Sequence, residues 1–425
     1  MPLAIETQLA TRSMQFKQHT LPNGLSIVAE CNDAAHSTAL GVFVNTGSRD
    51  ESDDIAGVSH FLEHMMFKGT PRRSAEQVNR EFDEIGAHYN AYTSEENTVY
   101  YGAVLPEHQQ ACTDLLLDIM RPSLREEDFE TEKQVILEEI QMYLDQPPYG
   151  MDDRVKQLCF GQHPITRSVL GTAHSVGALS AQQMRAYFDR RYGPSTMTVA
   201  AAGRVDFKGL IEQVEQIAGG WTTTDQPRPA TEPTATPTFQ SIQQENATQQ
   251  YVLRLSGGPD AADPDRYAAK LLATIVGDDS GSRLYWELID NGQAESASLG
   301  HYEYEGVGMY YGWMSCEPTA VESNLGILQQ VLSDVQREGV LATELDQARN
   351  KLKSRVVLGG ERPRNRLFSV GGNWIQRQEY RSVRDDLQVV DSITVEDIRR
   401  VLDRFPLDQA ATVTVGPRDA IVAPS

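Results

Sequence analysis

Apolar and polar positions in the first quarter of the chain follow patterns that predict several strands. Residues 16–28 predict a hairpin, because an Asn-Gly pair in the middle tolerates the positive φ of a tight turn. Residues 37–45 have the branched and aromatic content of a further strand. Residues 87–93 and 98–105 show similar patterns and are predicted to pair with each other.

Four segments show helical periodicity. A short apolar helix is predicted within residues 57–70, and a second follows a Ser-x-x-Gln capping box over residues 74–85. A third is predicted over residues 106–120, where Pro occupies the first turn. The longest covers residues 125–144 and is strongly acidic at its start, as the helix dipole favours.

Two His and one Glu lie inside the first predicted helix. His60 and His64 are four residues apart and therefore share one face of the helix, and Glu63 stands beside them. Two imidazoles at this spacing can occupy two sites on one tetrahedral metal ion, which is usually zinc. A carboxylate on the same turn can act as a general base toward water, and the order His-x-x-Glu-His is the one that names the inverzincins.

The alternative is that these three residues are ordinary core residues. A single His on an apolar helix is more often a packed core residue than a metal ligand. The surrounding side chains are all apolar: Ile55, Val58, Phe61, Leu62, Met65 and Met66. Two imidazoles and a carboxylate would be costly to bury among them without a partner, and a metal ion would supply one. We therefore expect this helix to bind a metal.

An acidic pair interrupts the apolar face of the helix predicted over residues 125–144. Glu132 and Glu139 are seven residues apart and nearly eclipsed. The rest of that face is formed by Phe129, Val135, Ile136, Ile140 and Tyr143. One interpretation is that the edge of the face is solvated and both acids are simply exposed. The other, which is stronger, is that they serve the two-His helix, because that helix lacks a third protein ligand.

The two halves of the chain resemble each other. Residues 179–190 parallel residues 393–404, and each segment leads to a strand-like run that begins at Thr198 or Thr412. The offset is constant, since 394 − 180 = 214 and 412 − 198 = 214. Chance similarity is the alternative, but a constant offset of half the chain length favours a duplicated domain. The second half contains His301 as its only His, so any metal site belongs to the first half.

The predicted fold is α+β, with two duplicated domains of about 210 residues, each a sheet covered by helices. Residues 222–244 are predicted to form a linker, because they begin with a stretch rich in Pro and Thr. The predicted N-terminal domain covers residues 14–221 and carries the metal motif. The predicted C-terminal domain covers residues 245–420 and lacks it.

Composition and charge exclude some partners. The formal net charge of −22 over 425 residues argues against a nucleic-acid partner and against docking on an anionic membrane. Four widely spaced Cys indicate neither a disulfide framework nor a thiolate metal site, which fits a reducing compartment. Neither a secretory signal nor an apolar run of about 18 residues is visible, so a soluble cytoplasmic protein is expected.

Together these motifs resemble the pitrilysin-type inverzincin peptidases, in particular the short branch that contains mitochondrial processing peptidase and its bacterial relatives. In that family a Glu in an E-x-x-V-I-x-x-E helix follows the His motif, and residues 132–139 match it here. The resemblance implies one zinc per chain, with Glu139 as the third ligand and Glu132 as a supporting catalytic acid that orients the site. Glu138 is the rival ligand, but helical phase and the family motif agree on Glu139.

The resemblance also implies a mode of substrate binding. Residues 86–93 (GAHYNAYT) are similar to a family signature that forms a sheet edge, on which a peptide lies as an added strand. Asn90 and Ala91 would then contact the backbone of the substrate. Residues 47–51 (GSRDE) resemble a second family signature.

One departure from the family pattern concerns the residues that bind the substrate. Family members that act alone carry an Arg and a Tyr in the second half, within L-R-E-x-x-G-L-x-Y. Here Ile289 stands in the place of the Arg and Glu295 in the place of the Tyr, although residues 282–284 just upstream match the family. Some bacterial relatives divide the work between a metal-bearing subunit and a partner that carries the Arg/Tyr pair. This chain resembles the metal-bearing subunit.

The resulting hypothesis is a zinc endopeptidase that cleaves peptides or unfolded segments in an enclosed chamber, as the metal-bearing subunit of a two-subunit enzyme. His60, His64 and Glu139 would hold the zinc, and Glu63 would act as the general base. A dimer is expected, either a heterodimer with a homologous subunit or a homodimer. The alternative hypothesis is a catalytically silent scaffold subunit of the same fold, although such relatives usually lose the metal motif.

Overall fold

The computed structural model describes residues 14–224, 228 and 231–424. The first half of the chain forms β1 (Gln15–Thr20), β2 (Ser26–Cys31), β3 (Thr38–Val44), α1 (Val58–Met66), α2 (Ala75–Glu84), β4 (His88–Thr93), β5 (Thr98–Val104), α3 (Gln109–Ile119), α4 (Glu126–Leu144), α5 (Met151–Phe160), α6 (Ala173–Ala178), α7 (Ala181–Arg191), β6 (Met197–Gly203) and α8 (Phe207–Ala218). The second half forms β7 (Phe239–Gln243), β8 (Gln250–Gly258), α9 (Arg266–Gly277), β9 (Ser296–Tyr304), β10 (Val307–Cys316), α10 (Val321–Glu338), α11 (Ala342–Gly360), α12 (Pro363–Arg377), α13 (Val383–Ser392), α14 (Val395–Arg404) and β11 (Ala411–Gly416).

Two sheets organise these elements, and the second repeats the order of five strands of the first, from β2 to β4. The first has six strands in the order β1-β2-β6-β3-β5-β4, and the second has five in the order β7-β11-β8-β10-β9. β2 runs parallel to β6, and β7 runs parallel to β11, whereas the other neighbours are antiparallel. The predicted α+β fold with a duplicated unit is therefore confirmed.

The repeated units also end alike. α7 and α14 each begin at a capping box, formed by Ser180 with Gln183 and by Thr394 with Asp397. The starts of these helices differ by 395 − 181 = 214, and the starts of β6 and β11 differ by 411 − 197 = 214. The offset in the sequence is thus the offset between equivalent structural elements.

Both faces of the first sheet are buried, because alternate side chains of its strands pack against different helices. In β3, Leu40 and Val42 belong to the core that also contains the apolar residues of α1 and α3. Ala39 and Phe43 face the opposite side. On that side lies α12, which comes from the second half of the chain and packs Leu367 against the sheet.

In the same way, a helix from the first half of the chain covers a face of the second sheet. α5, from the first half, packs Val155 against β8 and β11. The starts of α5 and α12 differ by 363 − 151 = 212, close to the repeat offset, so the two halves exchange equivalent helices. The domain limits 14–221 and 245–420 stay a prediction, and neither segment contains every helix that covers its own sheet.

The linker predicted over residues 222–244 ends earlier than expected, because a strand begins at Phe239. Residues Phe239–Gln243 form β7, which pairs with β11. None of the side chains of β7 is fully buried, although Phe239 and Ile242 are partly buried and pack against neighbouring apolar cores. The described residues before it, 222–224, 228 and 231–238, contain no helix or strand.

Most local elements lie where the patterns predict them. β1 and β2 form the expected hairpin, and β4 pairs with β5. α1, α2 and α4 lie within their predicted segments, whereas α3 begins at Gln109 because Pro106–His108 form a 3₁₀ turn. Among the helices of the described segments, none is both long and apolar enough to cross a membrane.

Candidate metal centre

The helix that carries the His motif begins at a buried cap. Gly57 precedes α1 with a φ of 93°, and a side chain there would meet the carbonyl oxygen of Leu170. Glu51 accepts hydrogen bonds from the backbone N–H groups of Gly57 and Ser59, each at 2.7 Å. Burial raises the pKa of the Glu51 carboxyl to about 8. The loop that contains Glu51 therefore fixes where α1 starts.

His60 and His64 approach the same carboxylate from adjacent turns of α1. Their rings lie edge to face with centroids 4.7 Å apart, and their Nε2 atoms lie 3.9 Å and 3.8 Å from Oε2 of Glu139. Nδ1 of His60 is buried without a hydrogen-bond partner. Burial, with a smaller effect of His64, lowers the pKa of His60 to about 4. His60 is thus held neutral, which is the form in which imidazole binds a metal.

Glu139 lies on α4, which packs against α1. Its neighbour Glu138 is exposed, whereas Glu139 is half-buried. One ligand atom from each of His60, His64 and Glu139 lies within 4.8 Å of the others. Tetrahedral ligands at about 2.1 Å from zinc are about 3.4 Å apart, so each side chain needs to move by less than about 1 Å to bind the ion. The donor set and its geometry therefore fit zinc.

A second carboxylate holds the other nitrogen of His64. Nδ1 of His64 lies 2.9 Å from Oε1 of Glu132, and Oε2 of Glu132 lies 2.5 Å from Nζ of Lys68. Burial alone would raise the pKa of Glu132, but the hydrogen bonds with His64 and Lys68 bring it below its usual range. Because an ionised Glu132 accepts a hydrogen bond from Nδ1–H, Nε2 is the nitrogen of His64 that is left to bind a metal. Burial alone would lower the pKa of His64, but the hydrogen bond with Glu132 and the nearby carboxylates raise it, so a metal ion would displace a proton there.

Glu63 reaches the same space as the three candidate ligands. It is half-buried on α1, and its Oε2 accepts a hydrogen bond of 2.6 Å from Oγ1 of Thr93 at the end of β4. Burial raises the pKa of Glu63, although the hydrogen bond from Thr93 opposes this effect. A carboxyl group whose pKa is raised toward neutrality can accept a proton and return it in one reaction cycle.

A cavity of about 740 Å³ lies beside these side chains. His60, Glu63 and Glu139 line it, together with Tyr143 and Tyr149, whose rings stack with centroids 4.8 Å apart. The second half of the chain contributes a further part of the wall, formed by Leu253, Tyr311 and Trp313. The candidate site is therefore built by the first half and walled by both halves.

β4 is an edge strand of the first sheet and runs along this cavity. Ala91 and Thr93 line the cavity, and the alternation of a strand directs the Asn90 side chain to the other face. Oδ1 of Asn90 instead accepts a hydrogen bond of 2.8 Å from the N–H of Ala91. The structure thus brings Ala91 to the site, whereas Asn90 is not among the residues that line the cavity.

The positions expected to hold the Arg/Tyr pair lie in the second half. Ile289 ends a π-helical turn and packs against the core of that half, and Glu295 is exposed just before β9. Neither residue lines the cavity. Arg283, which precedes them, is bound to Glu344 through two hydrogen bonds of 2.8 Å. In the part of the chain that the structure describes, this segment brings no Arg/Tyr pair to the site.

Sequence reasoning missed three features of the site. Lys68 could have been found, because it lies four residues after His64 and so can reach the same side of the helix. Thr93 could have been found from its alternation with Ala91 in β4. The wall from the second half, with Tyr311 among its residues, has no local signal, because only the packing of the two halves brings it there.

Two protein-family patterns match this chain. The pattern of the insulinase family, peptidase family M16, matches residues 26–173, and that of the peptidase M16 inactive domain matches residues 178–352. An uncharacterized zinc protease of Mycobacterium tuberculosis is 31% identical to this chain, over 94% of the chain and 93% of that protein. The chain belongs to the M16 peptidase family. The resemblance to pitrilysin-type peptidases is therefore confirmed, and relatives named as zinc proteases indicate a zinc metallopeptidase.

Two further proteins are similar to almost the whole of this chain. A probable beta subunit of mitochondrial-processing peptidase from Arabidopsis thaliana is 29% identical, over 94% of this chain and 78% of its own length. The crystal structure of a protease from Helicobacter pylori matches with a TM-score of 0.88 at 20% identity, over 95% of this chain and 100% of that one. The latter similarity shows the shared fold alone.

Proposed function

We propose that this M16 family member is a zinc-dependent endopeptidase that binds one zinc ion per chain. The observation that carries the proposal is the convergence of His60, His64 and Glu139 beside a cavity that Glu63 also lines. Three protein ligands leave a fourth position on zinc, as catalytic zinc sites require. The carboxylate of Glu63, which lines the cavity beside them without being one of the three ligands, distinguishes this arrangement from a structural zinc site.

The protein groups have separate roles in this mechanism. When bound, zinc would polarise the carbonyl of the scissile peptide bond and acidify water. Glu63 takes the proton from the attacking water and later returns it to the leaving amine. Glu132 holds the Nδ1–H of His64, so that Nε2 stays directed toward Glu139.

The substrate of this proposal is an extended peptide or an unfolded segment of a polypeptide. The outer edge of β4 has no neighbouring strand among the described residues. A peptide can add to such an edge through backbone hydrogen bonds, here at Asn90 and Ala91, where it would take the place of Oδ1 of Asn90 on the N–H of Ala91. A chain folded into its own sheets and helices has no free backbone to offer, so the enzyme would select unfolded segments.

We further propose that this chain is the metal-bearing subunit of a two-subunit enzyme, with a homologous subunit that carries the Arg/Tyr pair. The support is that Ile289 and Glu295 stand where that pair belongs and lie outside the cavity. The side chains of His64 and Glu139 are 27% and 24% exposed in the single chain. A partner that closes the cavity into a chamber would exclude water from them. A homodimer is the other form of this proposal.

The compartment and the remaining partners follow from composition. All four cysteines are free and buried, which supports a reducing cytoplasmic location. The net charge of −22 supports neither a nucleic-acid nor a membrane partner. The proposed partners are therefore the peptide substrate and a second subunit of the same fold.

A silent scaffold subunit is the second candidate, and the absent Arg/Tyr pair is the observation that favours it. Metal analysis of the purified protein, followed by assays on a mixture of unfolded peptides with and without the homologous subunit, separates the candidates. The enzyme proposal predicts one zinc per chain and cleavage when the partner is present. Protein without zinc and without cleavage in both assays would identify the scaffold. Strong cleavage by the chain alone would contradict the division between two subunits.

A further inference from the structure

One side chain outside the His motif fixes the carboxylate of Glu63. Thr93 is the last residue of β4, and its Oγ1 donates the hydrogen bond of 2.6 Å to Oε2 of Glu63. Within residues 14–224, 228 and 231–424, no other group donates a hydrogen bond to that carboxylate. Its second oxygen, Oε1, therefore stays available on a residue that lines the cavity.

A general base is effective only while its carboxylate stays in line with the proton that it takes. The terminal torsion of a Glu side chain is broad, so packing around the stem does not by itself fix the orientation of the two oxygens. A displacement of about 1 Å in a reacting group can reduce the rate by about 100-fold. The hydroxyl of Thr93 removes this freedom by holding one oxygen and leaving the other.

Thr93 is held in turn by buried groups around it. It pairs with Thr98 of β5, and the turn that joins the two strands contains Glu96. Glu96 forms an ion pair of 2.5 Å with Arg49, and both side chains are almost completely buried. Arg49 lies in the loop that leads to α1 and also donates a hydrogen bond of 2.7 Å to the carbonyl oxygen of Glu305. The buried ion pair therefore ties the turn that follows β4 to the loop that leads to α1.

We propose that Thr93 is the positioning residue of Glu63 and couples the base to the strand on which the peptide lies. The inference rests on the proposed function, since it needs Glu63 to act as the base. Ala91, two residues before Thr93, lies on the same face of β4 and lines the cavity. A peptide that pairs with β4 at Ala91 is thereby held in a fixed register with the carboxylate of Glu63.

The test compares Thr93→Val, which keeps the shape but loses the hydroxyl, with Thr93→Ser, which keeps the hydroxyl. Thr93→Val is expected to lower kcat by about 10- to 100-fold, while KM and zinc affinity, measured by competition with a chelator, stay within about 2-fold. Thr93→Ser is expected to recover kcat to within about 3-fold of the wild type, because the donor to Glu63 is restored. The assays use the full chain with its partner subunit.

A matched control comes from the paired position on the next strand. Thr98 is buried, and its Oγ1 donates a hydrogen bond of 3.0 Å to the carbonyl oxygen of Thr46 instead of to Glu63. Thr98→Val loses a buried hydrogen bond and is expected to lower Tm while leaving kcat within about 2-fold. Thr93→Val is expected to show the opposite result, with a large change in kcat and a small change in Tm.

Each outcome decides the inference. Wild-type kcat in Thr93→Val, or a Thr93→Val protein that loses zinc, would show that Thr93 is not a positioning residue for the base. If the wild type binds zinc but cleaves no peptide, the proposed function fails, and crystal structures of the zinc-loaded wild type and Thr93→Val still test the hydrogen bond. A Glu63 carboxylate in the same position in both structures would overturn the inference, and a rotated carboxylate in Thr93→Val would support it.

Discussion

Two pairs of packed helices occupy matching places in the two halves of the molecule but carry different chemistry. α1 packs against α4 and contacts β4 and β5 in the first half, as α9 packs against α11 and contacts β9 in the second. The first pair brings two imidazoles to within 4 Å of Glu139. In the second, Asp278, directly after α9, binds Arg355 and lies 2.8 Å from Lys351, both on α11.

This difference shows that the packing of the helices does not by itself determine their chemistry. Asp278 has two cationic partners, and although burial alone would raise its pKa, the hydrogen bonds with Lys351 and Arg355 lower it. Its charge is therefore satisfied within the protein. The first pair directs the Nε2 atoms of two imidazoles and a carboxylate oxygen of Glu139 at one point, which is costly unless a cation binds there. One helix arrangement thus supports either an ion pair or a metal site.

The largest effect is expected from removing the third ligand. Glu139→Ala should weaken zinc binding at least about 1,000-fold, because one of three protein ligands is lost. Glu138→Ala is the matched control, since Glu138 is the exposed neighbour on the same helix. Zinc content after dialysis against a chelator measures both variants. Retained zinc in Glu139→Ala, or loss in Glu138→Ala, would contradict the assignment.

The next effect concerns the base and separates chemistry from metal binding. Glu63→Gln should lower kcat about 1,000-fold, because the amide cannot take a proton from water. Its zinc content should stay at the wild-type level, because Glu63 is not a ligand in this account. Peptide cleavage and metal analysis on the same preparation measure both quantities, with Glu138→Gln as the control. Full activity in Glu63→Gln would refute the assignment of the base.

A smaller effect is expected at the residue that supports Glu132. Lys68→Met leaves the buried Glu132 carboxylate without its cation, so the orientation of His64 loosens and zinc affinity should fall about 10-fold. Lys68→Arg should keep most of the affinity. Lys133→Met on α4 is the control, because Lys133 pairs with Glu130 rather than with Glu132. Equal zinc affinity in Lys68→Met and the wild type would remove Lys68 from the site.

The smallest effect is expected from breaking the ion pair of the second half. Asp278→Asn should lower the free energy of unfolding by about 1–2 kcal/mol, because both cationic partners are partly exposed, and it should leave zinc content unchanged. The folded pKa of Asp278 is lowered, so its contribution is present above the usual carboxyl pKa of 3.8 and is lost as pH falls through the folded pKa. Denaturant unfolding at neutral and acidic pH should therefore show the gap between wild type and variant closing in acid. A gap that widens in acid would contradict this account.

Much of the fold could be predicted because its signals are local. α1, α4 and the capped helices follow from periodicity and capping boxes, and the constant offset revealed the duplication. The exchange of α5 and α12 could not be predicted, because an apolar helix face does not indicate which sheet it covers. β7 was assigned to the linker because it directly follows a stretch rich in Pro and Thr and contains only two apolar residues, Phe239 and Ile242.

The features of the candidate site also fall into those that the sequence predicts and those that only the structure shows. His60, Glu63 and His64 were visible because helical spacing places them on neighbouring turns, and Glu139 followed from the resemblance. Lys68 and Thr93 each have a local signal of their position, but their contacts with Glu132 and Glu63 join separate elements, so only the tertiary structure shows those contacts. Ser59 and Gly57, which bind the cap residue Glu51, are a further case, because a buried acidic cap has no distinct local pattern.

The central claim is that the first helix pair binds one zinc ion and that this ion supports cleavage. The most direct test strips the protein with a chelator, returns zinc stepwise, and measures occupancy and cleavage of an unfolded polypeptide in the same samples, with the partner subunit present. Cleavage should be absent at the start, rise in proportion to occupancy, and reach its maximum at one zinc per chain. Cleavage by the stripped protein, or full occupancy without cleavage, would contradict the claim.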